Sequence, residues 1–292
     1  MTLADLRLPS RACQVWATSG MDDPRYCVDL YHYRNYAHDI EYRYNSRGFR
    51  DEEWPEDLKS SVWCLGDSFT VGLGSPLEHT WPHLLQQRLQ RRTINISMDG
   101  GSNAWMARRA CDIIAAVQPD IMVIQWSYTH RGEQQHDARV LDQRWQEFYR
   151  TIRDPSWPRC DHYQQFESLP SSIQFEIKSD PFWPRFLEIS DEERRIDIPI
   201  DRAAVLDPSI NDDTLFAAAD LVEQNSSNTV IIHGFIPEFA DDSVRMHQLL
   251  AERFKNRRWI PEIQRLDWAR DHHHYDRLTA EKFVADVYEF IA

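Results

Sequence analysis

The feature that most limits how this chain can fold is a repeated order: a short apolar run, a polar or glycine-containing turn, then apolar residues at helical spacing. "SVWCLG" (residues 61–66) is such a run, and "EHTWPHLLQQRLQRR" follows it with Trp81, Leu84, Leu85 and Leu89 in helical phase. "TINISM", "DGGSN" and "AWMARRACDIIAAV" repeat the order as strand, turn and helix, where Trp105, Ala110, Ile113 and Ile114 can share a face. "PDIMVIQWS" is apolar enough to be covered on both sides, as parallel strands are. Later come "DTLFAAADLVEQN" as helix, "NTVIIHGF" as strand, "DSVRMHQLLAERFKN" as helix, "EIQRLDW" as strand and "TAEKFVADVYEFI" as closing helix. Five strands alternating with helices predict a doubly wound α/β sheet.

Two stretches fall outside this rhythm. Residues 1–57 are rich in Tyr, Arg and Asp and end in "YRYNSRGFRDEEWP", where Asn45 and Gly48 offer turn positions; they are expected to form an extension packed on a core domain of residues 58–292. Residues 131–211 hold a helical pattern, "DARVLDQRWQEFYRTI", then a Pro- and Trp-rich stretch and the acidic run "EISDEERRIDIPID". Eighty residues without alternation are too many for a simple loop and are expected to be an insertion or lid. Trp157 and Trp183 there read as packing of the insertion ahead of a wall for a sugar or aryl group.

Composition narrows the function classes. A net charge of −14 over 292 residues argues against a general binder of nucleic acid or of anionic membranes, both of which need clustered Lys and Arg. No window is apolar for long enough to span a membrane, and "MTLADLRLPSRACQVW" lacks the apolar core of a signal peptide, so a cytoplasmic location is expected. Cys13, Cys27, Cys64, Cys111 and Cys160 show no C-x-x-C spacing and read as mostly buried thiols. His272, His273 and His274 do not predict a metal site, because consecutive residues of an extended segment point to opposite sides. No cofactor is called for.

The chemistry concentrates where predicted strands end, which is where open α/β sheets bind ligands. In "VWCLGDSFTVGLG", Ser68 follows a Gly-Asp pair at the end of a strand. The pair can be an ordinary turn, or it can hold the hydroxyl out as a nucleophile. A nucleophile needs a base, an acid to orient that base, and donors for the oxyanion. "ARDHHHYDRL" supplies Asp271 and His274 three residues apart, with His273 as the nearest rival base. "MDGGSN" supplies Gly100, whose N–H can approach a substrate oxygen unobstructed. His130 and Arg131, after the third strand, are candidates to bind substrate, with a solvated helix start as the alternative. His233, in "VIIHGF", reads first as a satisfied core histidine.

The order "GDSFTVG", "NISMDGGSN", "PDIMVIQWSYTH" and "DHHHYD" resembles the SGNH or GDSL hydrolase superfamily, across residues 58–130 and 226–292. The resemblance implies a flavodoxin-like three-layer α/β/α sandwich with a five-stranded, mostly parallel sheet. It also implies that Ser68 is the nucleophile, His274 the base, Asp271 the acid and Gly100 an oxyanion donor. The third block departs from the family, since Thr129 stands where the family has an oxyanion-hole Asn; Asn103 or His130 could replace that amide. The expected activity is hydrolysis of a carboxylic ester, a small molecule or an acetylated carbohydrate. Two rivals stay open: an acyltransferase using the same residues, and a binding protein that keeps the fold without the chemistry.

Overall fold

The computed structural model describes residues 3, 6–8, 11–19, 22, 31–127, 131–133, 140–142, 208–237, 251–253, 258–260 and 263–291. Five strands form its main sheet: β1 (Val62–Gly66), β2 (Thr93–Ser97), β3 (Ile121–Trp126), β4 (Val230–Phe235) and β5 (Arg258–Trp259). They lie in the order β2-β1-β3-β4-β5, every pair parallel. The helices around this sheet include α1 (Ser68–Val71), α2 (Trp81–Leu89), α3 (Asn103–Val117), α4 (Pro208–Asn225) and α5 (Arg277–Ile291). Helix α3 packs with α4, and α2 with α5, giving the three-layer α/β/α arrangement.

The core forms around the sheet. All five residues of β1 and of β2 are buried, as strands covered by helices on both faces must be. Trp63, Trp81, Trp105 and Trp126 are among the largest side chains wholly enclosed. His233 lies in this interior fully satisfied: Trp126 Nε1–H donates to its Nδ1 at 3.1 Å, and its Nε2 meets Glu223 of α4 at 2.8 Å.

The strand order reverses direction at β1, where neighbours β2 and β3 lie on either side, and the crevice of such a sheet opens at the carboxyl ends flanking that point. Ser68 follows the last residue of β1 by two positions. The turn into α1 is so tight that a Cβ on Gly66 would stand 1.9 Å from Thr70 Oγ1, so only glycine fits there.

Three expectations need correction. "EIQRLDW" is no strand; the fifth strand is the earlier pair Arg258–Trp259. Residues 263–268 instead serve the start of α5, because the Asp267 carboxylate accepts the N–H groups of Asp276, Leu278 and Thr279 while the backbone N–H of Leu266 donates to Thr279 Oγ1. Within "DARVLDQRWQEFYRTI", residues Val140–Asp142 are extended and pair antiparallel with Arg131–Glu133, Arg131 standing opposite Asp142 in the register. The other residues of that predicted helix lie outside the described residues, as does most of the 131–211 segment. Of the described cysteines, Cys64 is buried and Cys111 half-buried, but Cys13 is exposed in a turn.

The N-terminal segment contacts the sheet domain through both apolar and polar groups. Leu6 and Phe49 join the main core, and Val15–Trp16 pairs antiparallel with Tyr42–Arg43. Asn45 organises the following turn by accepting the N–H groups of Arg47 and Phe49. The deepest of the polar groups is Arg50, which is 1% exposed. Its guanidinium donates to the carbonyls of Val71, Gly72, Ser75 and Glu41 at 3.1, 2.5, 2.8 and 3.2 Å, and its Cζ lies 4.3 Å from the centre of the Tyr42 ring. The carbonyls of Val71 and Gly72 stand at the end of α1, where a short helix leaves such groups unpaired. Arg50→Met is expected to destabilise the protein by about 3 kcal/mol, measured as a lowered midpoint of urea unfolding, because several buried carbonyls lose their donors together.

Candidate active site

Ser68 is the first residue of α1. Asp67 caps that helix, its Oδ1 accepting Phe69 N–H at 3.0 Å, while its other oxygen accepts Ser127 Oγ. Capping of this kind fixes the chain direction at the next residue. Ser68 is 3% exposed, and its Oγ lies 2.9 Å from His274 Nε2. His274 Nδ1 lies 2.6 Å from Asp271 Oδ2, so the three groups form one hydrogen-bonded line across 206 residues of chain. Asp271 also receives the N–H groups of His273 and His274 on Oδ1 at 2.9 and 3.0 Å, which locks the carboxylate in its turn. Phe69 stands edge-on to the His274 ring, centroids 4.6 Å apart.

The electrostatics of Asp271 follow from these contacts. Burial by itself pushes its carboxyl upward; the charge and hydrogen bond of His274, helped by His273 and the His274 N–H, outweigh that and hold it at about 2. The carboxylate therefore stays ionised beneath the imidazole at all ordinary pH.

His273, the rival base, has its ring 4.8 Å from that of His274 and 5.9 Å from that of Phe69. It is His274 whose ring nitrogen meets Ser68. His272 lies over Trp268 at 4.5 Å with φ of 54°, and among the described residues no group of three or more His, Cys, Asp or Glu side chains converges as a metal site.

The "DGGS" turn packs against the Ser68 turn: a Cβ on Gly101 would meet Gly66 O at 3.3 Å and Asp67 Cα at 3.5 Å. Gly100 has φ of 72°, in the left-handed region that favours glycine. Among the described residues, the N–H groups of Ser68 and Gly100 donate to no acceptor. Asn103 is engaged with the third strand's exit, its Oδ1 accepting Ser127 N–H at 2.8 Å and its Nδ2 donating to Ser127 O at 3.1 Å. Thr129 and His130 lie outside the described residues, as does the side chain of Arg131.

With this geometry in view, several solved structures match. An esterase, EstA, from Pseudoalteromonas is 14% identical, covering 80% of this chain and 96% of its own, with a TM-score of 0.40. A GDSL-like lipase from Bacteroides thetaiotaomicron is 10% identical, covering 82% and 91%, at 0.40. A family two carbohydrate esterase from Clostridium thermocellum is 10% identical, covering 82% and 67%, at 0.43. At these identities and TM-scores the matches carry no role over to this chain. No family model matches the chain, and no curated protein matches its sequence.

Sequence reasoning missed what braces the Asp271 turn. Gly74 has φ of 75°, and a Cβ there would stand 2.8 Å from Ala269 Cβ and 2.9 Å from Asp271 Cγ. Its N–H donates to Tyr42 Oη at 2.8 Å and its carbonyl accepts Arg270 N–H at 2.8 Å. The second glycine of "GLG" was the available signal. Arg265 adds another tie, donating to the carbonyls of His273 and Pro237 with its guanidinium over the Trp268 ring.

Proposed function

We propose that the protein is a serine ester hydrolase in which Ser68 is the nucleophile, His274 the general base and Asp271 the acid that orients it. The observation that carries this reading is the buried line from Ser68 Oγ to His274 Nε2 at 2.9 Å and from His274 Nδ1 to Asp271 Oδ2 at 2.6 Å. With Asp271 ionised, His274 is held with its proton on Nδ1 and its lone pair on Nε2 facing the hydroxyl.

Ser68 Oγ attacks the ester carbonyl as its proton passes to His274 Nε2. The oxyanion that forms takes the backbone N–H groups of Ser68 and Gly100. Collapse of the tetrahedral adduct breaks the bond to the alcohol, which leaves with the proton from His274. Water, deprotonated by the same nitrogen, then attacks the acyl-enzyme and frees the acid and Ser68. Thr129 or Asn103 is the candidate for a third donor, and His130 and Arg131 are the candidates to hold the alcohol part. A short acyl group on a polar alcohol, such as a carbohydrate acetate, is the preferred substrate class.

The test is hydrolysis of p-nitrophenyl acetate, butyrate and octanoate, with fluorophosphonate labelling, by the wild type and Ser68→Ala side by side. Turnover and labelling confined to the wild type support the reading, and equal behaviour of the two proteins removes it. Acyl transfer in place of hydrolysis would appear as an acyl-enzyme that decays only when an alcohol is added. On the same substrates, Gly74→Ala is expected to lower kcat roughly 10²-fold, because the new methyl group displaces the Asp271 carboxylate.

A further inference from the structure

Asp22 belongs to the N-terminal segment, yet it is fully buried beside the turn that carries Asp271. Arg270 reaches it with two donors, Nε to Oδ1 and Nη2 to Oδ2, both at 2.6 Å, a bidentate pair of the strongest geometry available to these groups. Tyr42 O–H donates to Asp22 Oδ2 at 2.6 Å and accepts Gly74 N–H at 2.8 Å, and Gly74 O accepts Arg270 N–H. A closed ring of bonds thus runs from Asp22 through Arg270, Gly74 and Tyr42 back to Asp22. Gly74 lies against the Asp271 carboxylate so closely that no side chain could intervene. Burial pushes the Asp22 carboxyl up while Arg270 and Tyr42 pull it down, so this carboxylate depends on both partners.

We propose that Asp22 is a positioning residue, whose hold on Arg270 and Tyr42 fixes the turn that aims Asp271 at His274. The inference rests on the assignment of Ser68, His274 and Asp271 made above. A misplaced carboxylate leaves substrate contacts in place but loosens the base, so the defect belongs in kcat and not in KM.

The experiment uses the full chain as wild type, Asp22→Asn, Asp22→Glu and Tyr42→Phe. Two quantities are read: kcat and KM for p-nitrophenyl acetate, and the far-downfield proton resonance of the imidazole N–H bonded to Asp271, assigned by its loss in His274→Ala. Asp22→Asn is expected to lower kcat about 10- to 100-fold with KM little changed, and to shift or broaden the resonance. Asp22→Glu regains part of both, and Tyr42→Phe, which keeps the ion pair, gives a smaller change in the same direction. A folded Asp22→Asn protein with the wild-type resonance and kcat overturns the proposal. If Asp22→Asn does not fold, Tyr42→Phe decides by the same two readings. A wild type that has the resonance but no Ser68-dependent hydrolysis would remove the esterase reading, while the resonance in the variants still reports on Asp22.

Discussion

Ser68→Ala is expected to lower kcat on ester substrates by on the order of 10⁶, the loss that follows when the nucleophile of a comparable serine hydrolase is removed. The substitution takes away one oxygen in a site that is already closed, so the fold should hold and KM should change little. Residual turnover above the uncatalysed rate, on the order of 10³-fold, is expected because the Ser68 and Gly100 N–H groups are backbone and survive the change. Steady-state kinetics with matched circular dichroism spectra read both quantities. A loss of only tenfold would mean that the 2.9 Å contact with His274 is an ordinary buried hydrogen bond.

Asp271→Asn carries the second largest expectation, a fall in kcat on the order of 10⁴. The amide can replace the shape of the carboxylate, but it cannot keep the imidazole in the tautomer that presents a lone pair to Ser68. A pH signature accompanies it. Folding holds the Asp271 carboxyl at about 2 against an ordinary value of 3.8, so it contributes stability that is full above pH 4 and is lost as pH falls from there toward 2. The contribution is about 2 kcal/mol. Urea unfolding should therefore find Asp271→Asn less stable than wild type by about that amount at pH 7 and closer to it at pH 3.

The parts of the fold that could be read from the sequence are those whose signal is local. β1, β3 and β4 are largely apolar runs, β2 alternates isoleucines with polar residues, and α2, α3 and α5 have apolar residues in helical phase, so periodicity finds them within a few residues. β5 is two residues long and has no period to find, whereas "EIQRLDW" looks like a strand and is held instead by the start of α5. For the candidate site, the Ser68 turn and the Asp271–His274 spacing are short motifs in plain view, and the structure brings these three side chains together. Asp22 and Arg50 could not be found in that way. Nothing in a stretch such as "SRGFRDEE" marks one arginine as wholly enclosed, because its acceptors come from residues 41 and 71–75, and only folding brings them around it.

The pairing of β3 with β4 has a consequence for how such a chain can change. Ile121–Trp126 meets Val230–Phe235 in unbroken parallel register, although residues 127–229 lie between the two strands. The entropy of closing so long a connection grows only with the logarithm of its length, about 0.6 kcal/mol for each doubling. Ser68 is set before that connection and His274 after it, and each is held by elements outside it. Sequence inserted ahead of α4, whose Leu215, Ala219 and Val222 are part of the core, can therefore lengthen at little entropic cost of closure, leaving Ser68 and His274 where they are.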